Sequence, residues 1–350
     1  NNDTKKKGLL YKMSATIKDV ANEAGLSVAT VSRVLNNSAN VSEDAAQRVN
    51  QAIDKLGYSP NFLGRNLRKR ETNVILVIMP TSEHSFYMKI VAGIQKYAQT
   101  RGYDVICASS NSTSEIEVRQ MNMLFNRTVD GVILLGTQYD ADTLNKLSKN
   151  YDIALCCEGV DGADVLTVVV DDEQGGYDAA KALIRLGHRK IAFVGANENA
   201  VSSSRRRDGF LRAMKEYGIT VDPDYIYSGS FEYENGEAAI RYFMSLPEPP
   251  TAVFCVSDLL AISAIHGAAD LGLKVGKDIS IIGFDNITMC EMMLPSVSTI
   301  EQPCEKLGEM VVRKLIANIT SPAGSKDNRT YTVEHRVILR DSTGNAGCID

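Results

Sequence analysis

Three carboxylates stand directly behind apolar runs of strand length: Glu158 after 153–157, Asp258 with Ser257 after 252–256, and Asp285 after 279–284. A carboxylate in that position can accept paired hydroxyl hydrogens, and ligands of open α/β sheets sit beyond the carboxyl ends of the strands. A cationic set lies in Ser202-Ser-Ser-Arg-Arg-Arg-Asp-Gly-Phe210. Its three arginines fall in the first turns of a helical stretch, where the dipole disfavours positive charge, which implies an anionic or hydroxyl-bearing partner; two of the three fit a plain solvated face as well. A third set, Val28, Ala29, Thr30, Ser32 and Arg33, is small, polar and basic. Such a face suits the major groove: Arg33 with Val28, Ala29 and Thr30 to read base edges, Ser27 and Ser32 to touch phosphates.

The third set is positioned by two short helical patterns around one turn. Ile17, Val20, Ala21 and Ala24 recur at i, i+3, i+4 and i+7, an apolar stripe about two turns long. Gly25 tolerates the left-handed conformation that ends a helix, and Ser27 is a good N-cap for the next. In that second helix Val31, Val34 and Leu35 turn inward. Two helices joined by a short glycine-containing turn, the second with an uncovered polar face, predict a helix-turn-helix. A loop through Asn40 follows, then a third helix capped by Ser42 with Glu43 and Asp44 in its first turn, closed by Gly57 before Tyr58-Ser-Pro60.

Charge supports this division. Residues 1–70 carry 12 Lys/Arg against 6 Asp/Glu, while the remainder carries 26 against 37. A basic head on an acidic body is what phosphate contact by one small module requires. Seven scattered cysteines make no disulfide framework, and neither Cys-x-x-Cys nor paired histidine spacing suggests a metal; no cofactor is expected. This usage fits a reducing cytoplasm. No apolar run approaches bilayer length, and the basic start is broken by Lys12 with no cleavage site behind it, so no signal peptide is read.

From residue 74 the beat becomes strand and helix in alternation. Apolar runs at 74–79, 103–108, 130–135, 153–157, 166–170, 190–195, 225–227, 252–256 and 279–283 are strands buried on both faces. Helical stretches lie near 86–99, 114–126, 175–186, 203–217, 234–245, 258–271 and 303–318. So many strands predict two α/β lobes rather than one open sheet. The expected organisation is an N-terminal tail (1–14), the helix-turn-helix domain (15–59), a hinge helix or linker (60–72), a two-lobed domain (73–341) and a C-terminal tail (342–350). Lobe one spans about 74–170 plus 302–325; lobe two spans about 171–297 plus 330–340, closed by one strand at 331–339.

Thr16-Ile-Lys-Asp-Val-Ala, Gly25-Leu-Ser and Ala29-Thr-Val-Ser-Arg-Val-Leu-Asn resemble the opening of the lactose/galactose repressor (LacI/GalR) family, and the resemblance runs through nearly the whole chain. It implies a small all-α helix-turn-helix domain joined to a periplasmic-binding-protein-like α/β domain. It also implies a homodimeric transcriptional regulator on near-palindromic operator DNA, most readily a repressor, controlled by a small molecule, a carbohydrate or derivative, bound between the lobes. The DNA-facing set then includes Thr16, Asn40, Tyr58 and the hinge residues Asn61, Arg65, Leu67 and Arg68. The stretch 61–70 is too short to hold a helix alone, so it would fold on DNA, with Leu67 wedged between base steps and Arg65 and Arg68 on phosphates. By the family's Arg-x-x-Gly-aromatic pattern Arg206, with Gly209 and Phe210, points into the effector pocket. Glu158, Asp285 and Phe231 join it, with Phe86 and Tyr87 at the mouth. Ser257 stands where the family usually has Asn, which leaves the hydrogen-bond pattern of Ser257-Asp258 open. The expected location is the bacterial cytoplasm, on the nucleoid.

Other readings compete less well. A protein corepressor could control the same machinery, as in the catabolite-control branch of the family, through Arg313 and Lys314. A solute-binding protein would leave residues 16–70 without a role. Enzyme signatures are missing: there is no Gly-x-Ser-x-Gly or Gly-x-Gly-x-x-Gly, and Gly272-Leu-Lys-Val-Gly-Lys-Asp278 falls short of a phosphate loop.

Overall fold

The structure, a computed structural model, describes residues 15–35, 41–58, 71–196, 201–322 and 325–346. The chain divides into two units, Asn1–Glu71 and Thr72–Asp350.

In the first unit, helices α1 (Ile17–Ala24), α2 (Val28–Leu35) and α3 (Glu43–Leu56) surround one small core. Thr16 starts α1 with a reciprocal cap: its hydroxyl accepts from the Asp19 amide, and the Asp19 carboxylate accepts from the Thr16 amide at 2.7 Å. Gly25 stops α1 at φ 63°, and Gly57 stops α3 at φ 58°. Ser42 caps α3 by accepting from Ala45 N. Val20, Ala21, Ala24, Val31, Val49 and Ala52 form the buried centre, the stripe that the periodicity predicted. Arg48 of α3 donates to the Ala24 carbonyl at 2.6 Å and so satisfies a C-terminal carbonyl of α1.

The second unit holds two six-stranded sheets. Lobe one is built on β1 (Val74–Met79), β2 (Asp104–Ser109), β3 (Gly131–Leu134), β4 (Ile153–Cys156), β5 (Leu166–Val169) and β11 (Thr330–Thr332), in the order β11-β5-β4-β3-β1-β2, every pair parallel. Lobe two has β6 (Ile191–Gly195), β7 (Ile226–Ser228), β8 (Ala252–Cys255), β9 (Ser280–Asp285), β10 (Ser298–Glu301) and β12 (Arg336–Ile338), ordered β12-β10-β9-β8-β6-β7 with only β12 antiparallel. Helices α4 (Ser85–Thr100), α5 (Ser114–Phe125), α6 (Ala141–Ser148) and α12 (Cys304–Thr320) belong to lobe one. Helices α7 (Asp172–Arg185), α8 (Val201–Glu216), α9 (Glu234–Met244), α10 (Asp258–Asp270) and the short α11 (Met289–Met292) belong to lobe two.

The end of the chain departs from the sequence reading. The single strand expected at 331–339 is two: Thr330–Thr332 extends the first sheet beside β5, and Arg336–Ile338 pairs with β10 in the second. Between them the chain changes lobes at buried Val333, whose amide bonds to Val169 O. Lobe two reaches beyond 297, because β10 pairs with β9 through Glu301. Residues 342–346 are no loose tail either, since Ser342 is fully buried and Ala346 N donates to Leu186 O. His188 pins this segment from the core by bonding to Thr251, Ser280 and Gly344 O.

One close approach sets the site. A Cβ on Gly209 would stand 1.8 Å from the Glu173 carbonyl, and one on Gly176 would stand 2.1 Å from the Arg206 carbonyl. Only glycine lets α7 and α8 touch backbone to backbone here. That contact holds Asp172, in the first turn of α7, against Arg206 of α8.

Candidate functional site

On the first unit the outer face of α2 stands clear of the core. Val28 is 42% exposed and Ala29 and Arg33 are exposed, while Val31 is sealed inside. Ser27 caps the helix by accepting from Thr30 N at 3.1 Å, and its hydroxyl shares a 2.9 Å hydrogen bond with the Thr30 hydroxyl. The two hydroxyls expected to act separately, one on a phosphate and one on a base, are therefore coupled. Thr16 is likewise engaged in its own cap, and Tyr58 packs on the edge of the core. Asn40, Asn61, Arg65, Leu67 and Arg68 lie outside the described residues.

In the second unit the carboxyl ends of the strands of the two lobes face one another. Lobe one contributes Cys157 and Glu158 after β4; lobe two contributes Val256 after β8, Asp285 and Asn286 at the end of β9, and Gln302 after β10. Cys157, Asp285 and Asn286 hold φ of 75°, 116° and 57°, strained for residues with side chains and typical of places where function fixes the backbone.

Arg206 is the centre of the cleft, 5% exposed. Its Nε donates to Asp172 Oδ1 at 2.8 Å, its Nη2 lies 2.8 Å from the same oxygen, and its Nη1 donates to Val256 O at 2.6 Å. Its guanidinium lies 3.6 Å from the ring centre of Phe284 and 3.8 Å from Asp285 Oδ1. Burial acts to lower its pKa, but Asp172 and Asp285 outweigh this and raise it. The same burial pushes Asp172 and Asp285 upward against the pull of Arg206. Tyr87 belongs to this cluster: burial raises its pKa most, then Cys157, Glu158 and Asp285, with Arg206 opposing.

Two of the three arginines at the start of this helix thus have partners within the chain. Arg206 meets Asp172, which the sequence reading passed over although it stands two residues behind the strand run 166–170, as Asp258 does behind 252–256. Arg205 reaches across to Asp161 of lobe one at 2.5 Å. Glu158 of lobe one accepts from Ser202 N at 3.0 Å and so caps the first turn of α8 from the opposite lobe. A third crossing bond runs from Lys89 Nζ to Asn286 O at 2.8 Å.

Three expected contacts are placed elsewhere. Asp258 is 0% exposed, and its oxygens accept from Thr299 Oγ1 at 2.6 Å and Ile287 N at 2.8 Å. It ties β10 and the segment after β9 to α10, and burial, then the nearby Asp285, push its pKa up to about 7. Ser257 is the buried N-cap of α10. Phe86 is turned into the core of lobe one, its ring edge against Tyr87. Spacing puts all three behind strands or beside the mouth, but side-chain direction decides, and it turns them inward. Phe231 is half-buried against lobe two.

Residues 16–61 match the family described as bacterial regulatory proteins, lacI family, and residues 72–340 match the periplasmic binding proteins and sugar binding domain of LacI family. The chain belongs to the lacI family. Its relatives include Catabolite control protein A of Priestia megaterium, 33% identical over 95% of this chain and 100% of that protein. The transcriptional repressor CytR of Escherichia coli K12 is 34% identical over 94% of this chain and 96% of its own length. Among solved structures, a lac repressor dimer bound to operator and the anti-inducer ONPF matches with a TM-score of 0.85 at 24% identity, covering 95% of this chain and 99% of that one, a likeness of fold. The transcriptional regulator CelR in complex with cellobiose matches with a TM-score of 0.70 at 29% identity, covering 94% and 99%. This lacI-family chain is a DNA-binding transcriptional regulator with an effector-binding domain. Among the described residues, no helix is long and apolar enough to cross a membrane, and no group of three or more His, Cys, Asp or Glu could hold a metal ion.

Proposed function

We propose that this regulator represses transcription from a near-palindromic operator as a homodimer in the bacterial cytoplasm, and that a carbohydrate or carbohydrate derivative in the interlobe cleft controls its grip. The observation that carries the effector reading is the cleft itself. Arg206, Asp172, Asp285 and Glu158 converge at the carboxyl ends of facing strands, and bonds from Lys89, Glu158 and Asp161 already join the lobes. A ligand there bridges two bodies whose separation can change, which is the geometry of hinge-type allostery. The DNA reading rests on the uncovered face of α2. Arg33 supplies the bidentate donor, Val28 and Ala29 supply methyl contacts and Thr30 joins them at the base edges, while Ser27, Ser32, Thr16, Asn40, Tyr58, Asn61, Arg65, Leu67 and Arg68 serve phosphates, register and the minor groove. Glu158, Arg206, Asp285 and Tyr87 would contact the effector, with Phe231 as a platform.

Control by a protein corepressor is the second reading, favoured by the similarity to Catabolite control protein A. Arg313 is exposed on α12, but Lys314 is drawn to Tyr331 and Asp327. Capture of genomic fragments by the full chain, sequenced and then challenged with sugars, tests the main reading. Enrichment of one palindromic motif, with release or tightening by a sugar, supports it. Fragments retained without sequence preference, or a motif indifferent to every sugar, would overturn the DNA half or the effector half respectively.

A further inference from the structure

The second unit begins at Thr72, two residues before β1. The β1–β2 ladder reaches back only to Asn73 O, which accepts from Asp104 N at 2.8 Å, so the amides of Thr72 and Asn73 need other partners. Asp130, the residue before β3, serves both. Its Oδ1 accepts from Thr72 N at 2.7 Å and from the Thr72 hydroxyl at 2.9 Å, and its Oδ2 accepts from Asn73 N at 2.7 Å. The Thr72 hydroxyl in turn accepts from Val74 N at 3.2 Å, and Asp130 N donates to Val74 O at 2.8 Å. Asn73 takes the left-handed conformation, φ 56°, which asparagine tolerates better than most side chains.

A chain tied by one bond swivels about it. Here both oxygens of one carboxylate grip two successive amides and a hydroxyl, which leaves Thr72 and Asn73 no rotation that keeps all the bonds. Bonds to an ionised acceptor are the stronger kind, and Asp130 is half-buried, so water competes with them only in part. Neither Thr72 nor Asn73 belongs to the apolar cores of the lobes, so packing does not require their placement. What the grip does determine is the direction in which residues 59–71, the stretch leading back to the DNA-reading unit, leave lobe one. That direction is set by a side chain more than fifty residues away in sequence, not by local propensity.

We propose that Asp130 is a positioning residue for DNA recognition: by fixing the exit of residues 59–71 from lobe one, it sets how strictly the regulator reads the spacing between two half-sites. This rests on the reading of a homodimer on a near-palindrome and adds to it the residue that limits where the two readers can be placed. One base pair inserted between half-sites turns one against the other by roughly 35° and shifts it by about 3.4 Å. A swivelling exit absorbs such a change and a fixed one does not.

The test uses the full chain and the palindromic motif recovered from captured genomic fragments, prepared as three duplexes: the motif itself, and the motif with one base pair inserted or removed at its centre. The parent is expected to bind the altered spacings about tenfold more weakly or worse, as for a misplaced base contact. Asp130→Asn keeps the volume but turns one oxygen into a donor that faces donors. It is expected to cut the spacing discrimination to about threefold or less, with affinity for calf-thymus DNA unchanged, since non-specific binding needs only phosphates. Thr72→Val removes the hydroxyl alone and should loosen the discrimination in the same direction, so the comparison survives if Asp130→Asn does not fold. Variants that melt lower but keep the parental ratio, or that lose affinity for all three duplexes in equal proportion, show a purely structural role and overturn the proposal. A parent that accepts the altered spacings overturns it too. Recovery of no palindromic motif overturns the homodimer reading, and the proposal with it.

Discussion

Replacing Arg206 by methionine is the sharpest perturbation that the cleft offers. Methionine keeps an unbranched stem over Phe284 but removes every donor, so Asp172, itself 5% exposed, loses both contacts at 2.8 Å, and Val256 O loses the one at 2.6 Å. Removing one partner of a buried ion pair costs about 3–5 kcal/mol, most of it the penalty for the stranded charge. Asp172 can escape in part by keeping its proton, and burial already pushes its pKa up. In the variant its folded pKa rises further above the unfolded value. Between those two values the folded state binds more protons than the unfolded state, so stability falls as pH rises. The expected loss is therefore about 3 kcal/mol near pH 5 and nearer 5 kcal/mol at pH 8. Asp172→Asn added to Arg206→Met should recover about 1–3 kcal/mol relative to the sum of the single changes, because the pair acts as one unit. The chain has no tryptophan, so urea unfolding is best followed by circular dichroism. A single-variant cost below about 1 kcal/mol at every pH, or strict additivity in the double variant, would refute the buried-pair argument.

Other outcomes follow from neighbouring residues. Asp258 keeps its proton to about pH 7 when folded, against the ordinary 3.8, so it makes stability fall as pH rises across that window. Asp258→Asn should remove that slope, gaining stability relative to the parent as pH increases toward 8, by a few kcal/mol at about 1.4 per pKa unit; parallel stability curves would show that Asp258 is ionised throughout. Gly209→Ala must part α7 from α8, since its Cβ would lie 1.8 Å from Glu173 O. It should destabilise lobe two by about 1–3 kcal/mol, measured by the same unfolding, and weaken the effector response beyond that of a surface Gly→Ala control. Arg33→Ala should relax the preference at one base pair per half-site, about 1–3 kcal/mol in competition binding; a uniform loss over all sequences would make Arg33 a phosphate contact instead.

Periodicity carried most of the architecture. The stripe Ile17, Val20, Ala21 and Ala24, the stop at Gly25 and the caps at Ser27 and Ser42 are local signals, and the structure uses each of them as read. The runs buried on both faces at 74–79 and 252–256 are interior strands of the two sheets. What spacing missed was non-local. β10 is short and mixed in polarity and exists as a strand because β9 gives it an edge, and the run read as one strand at 331–339 divides between the two sheets, Thr330–Thr332 beside β5 and Arg336–Ile338 beside β10. In the cleft, position behind a strand found Glu158 and Asp285, but it found Asp258 equally, which turns inward to Thr299 and Ile287. Asp172 stands behind the run 166–170 as Asp258 does behind 252–256 and was passed over all the same, while Gln302 follows β10, a strand that periodicity did not read. Their roles come from the α7–α8 glycine contact and from the interlobe crossing, neither of which a linear pattern encodes.

The bonds that already join the lobes bear on how strongly an effector must act. Arg205–Asp161 is solvated, with side chains 39% and 86% exposed, and a pair of that kind contributes roughly 0–1 kcal/mol. Ser202 N to Glu158 and Lys89 to Asn286 O are single charge-assisted bonds, about 1.5–3 kcal/mol each before the water they displace is counted. These polar crossings are few and separable, although one buried apolar cluster also runs through both lobes, from Ile75 and Val77 to Phe193 and Phe254. A ligand can move such an equilibrium only by its differential affinity for the two arrangements, and about 5.5 kcal/mol carries it from one per cent to ninety-nine. Contacts of this size lie within what one small polar ligand can outweigh or reinforce. Glu158 is the pivotal case, because its carboxylate serves both as the cap of α8 and as a wall of the cleft. A ligand hydroxyl that took it from Ser202 N would loosen the lobes, and one that used its second oxygen would tighten them. On the proposed reading of the cleft, the sign of regulation follows from which oxygen of Glu158 the effector claims. Glu158→Gln, which keeps one acceptor and replaces the other by a donor, should spare the first mode and abolish the second; an unchanged effector response would exclude the tightening mode, and a lost one the loosening mode.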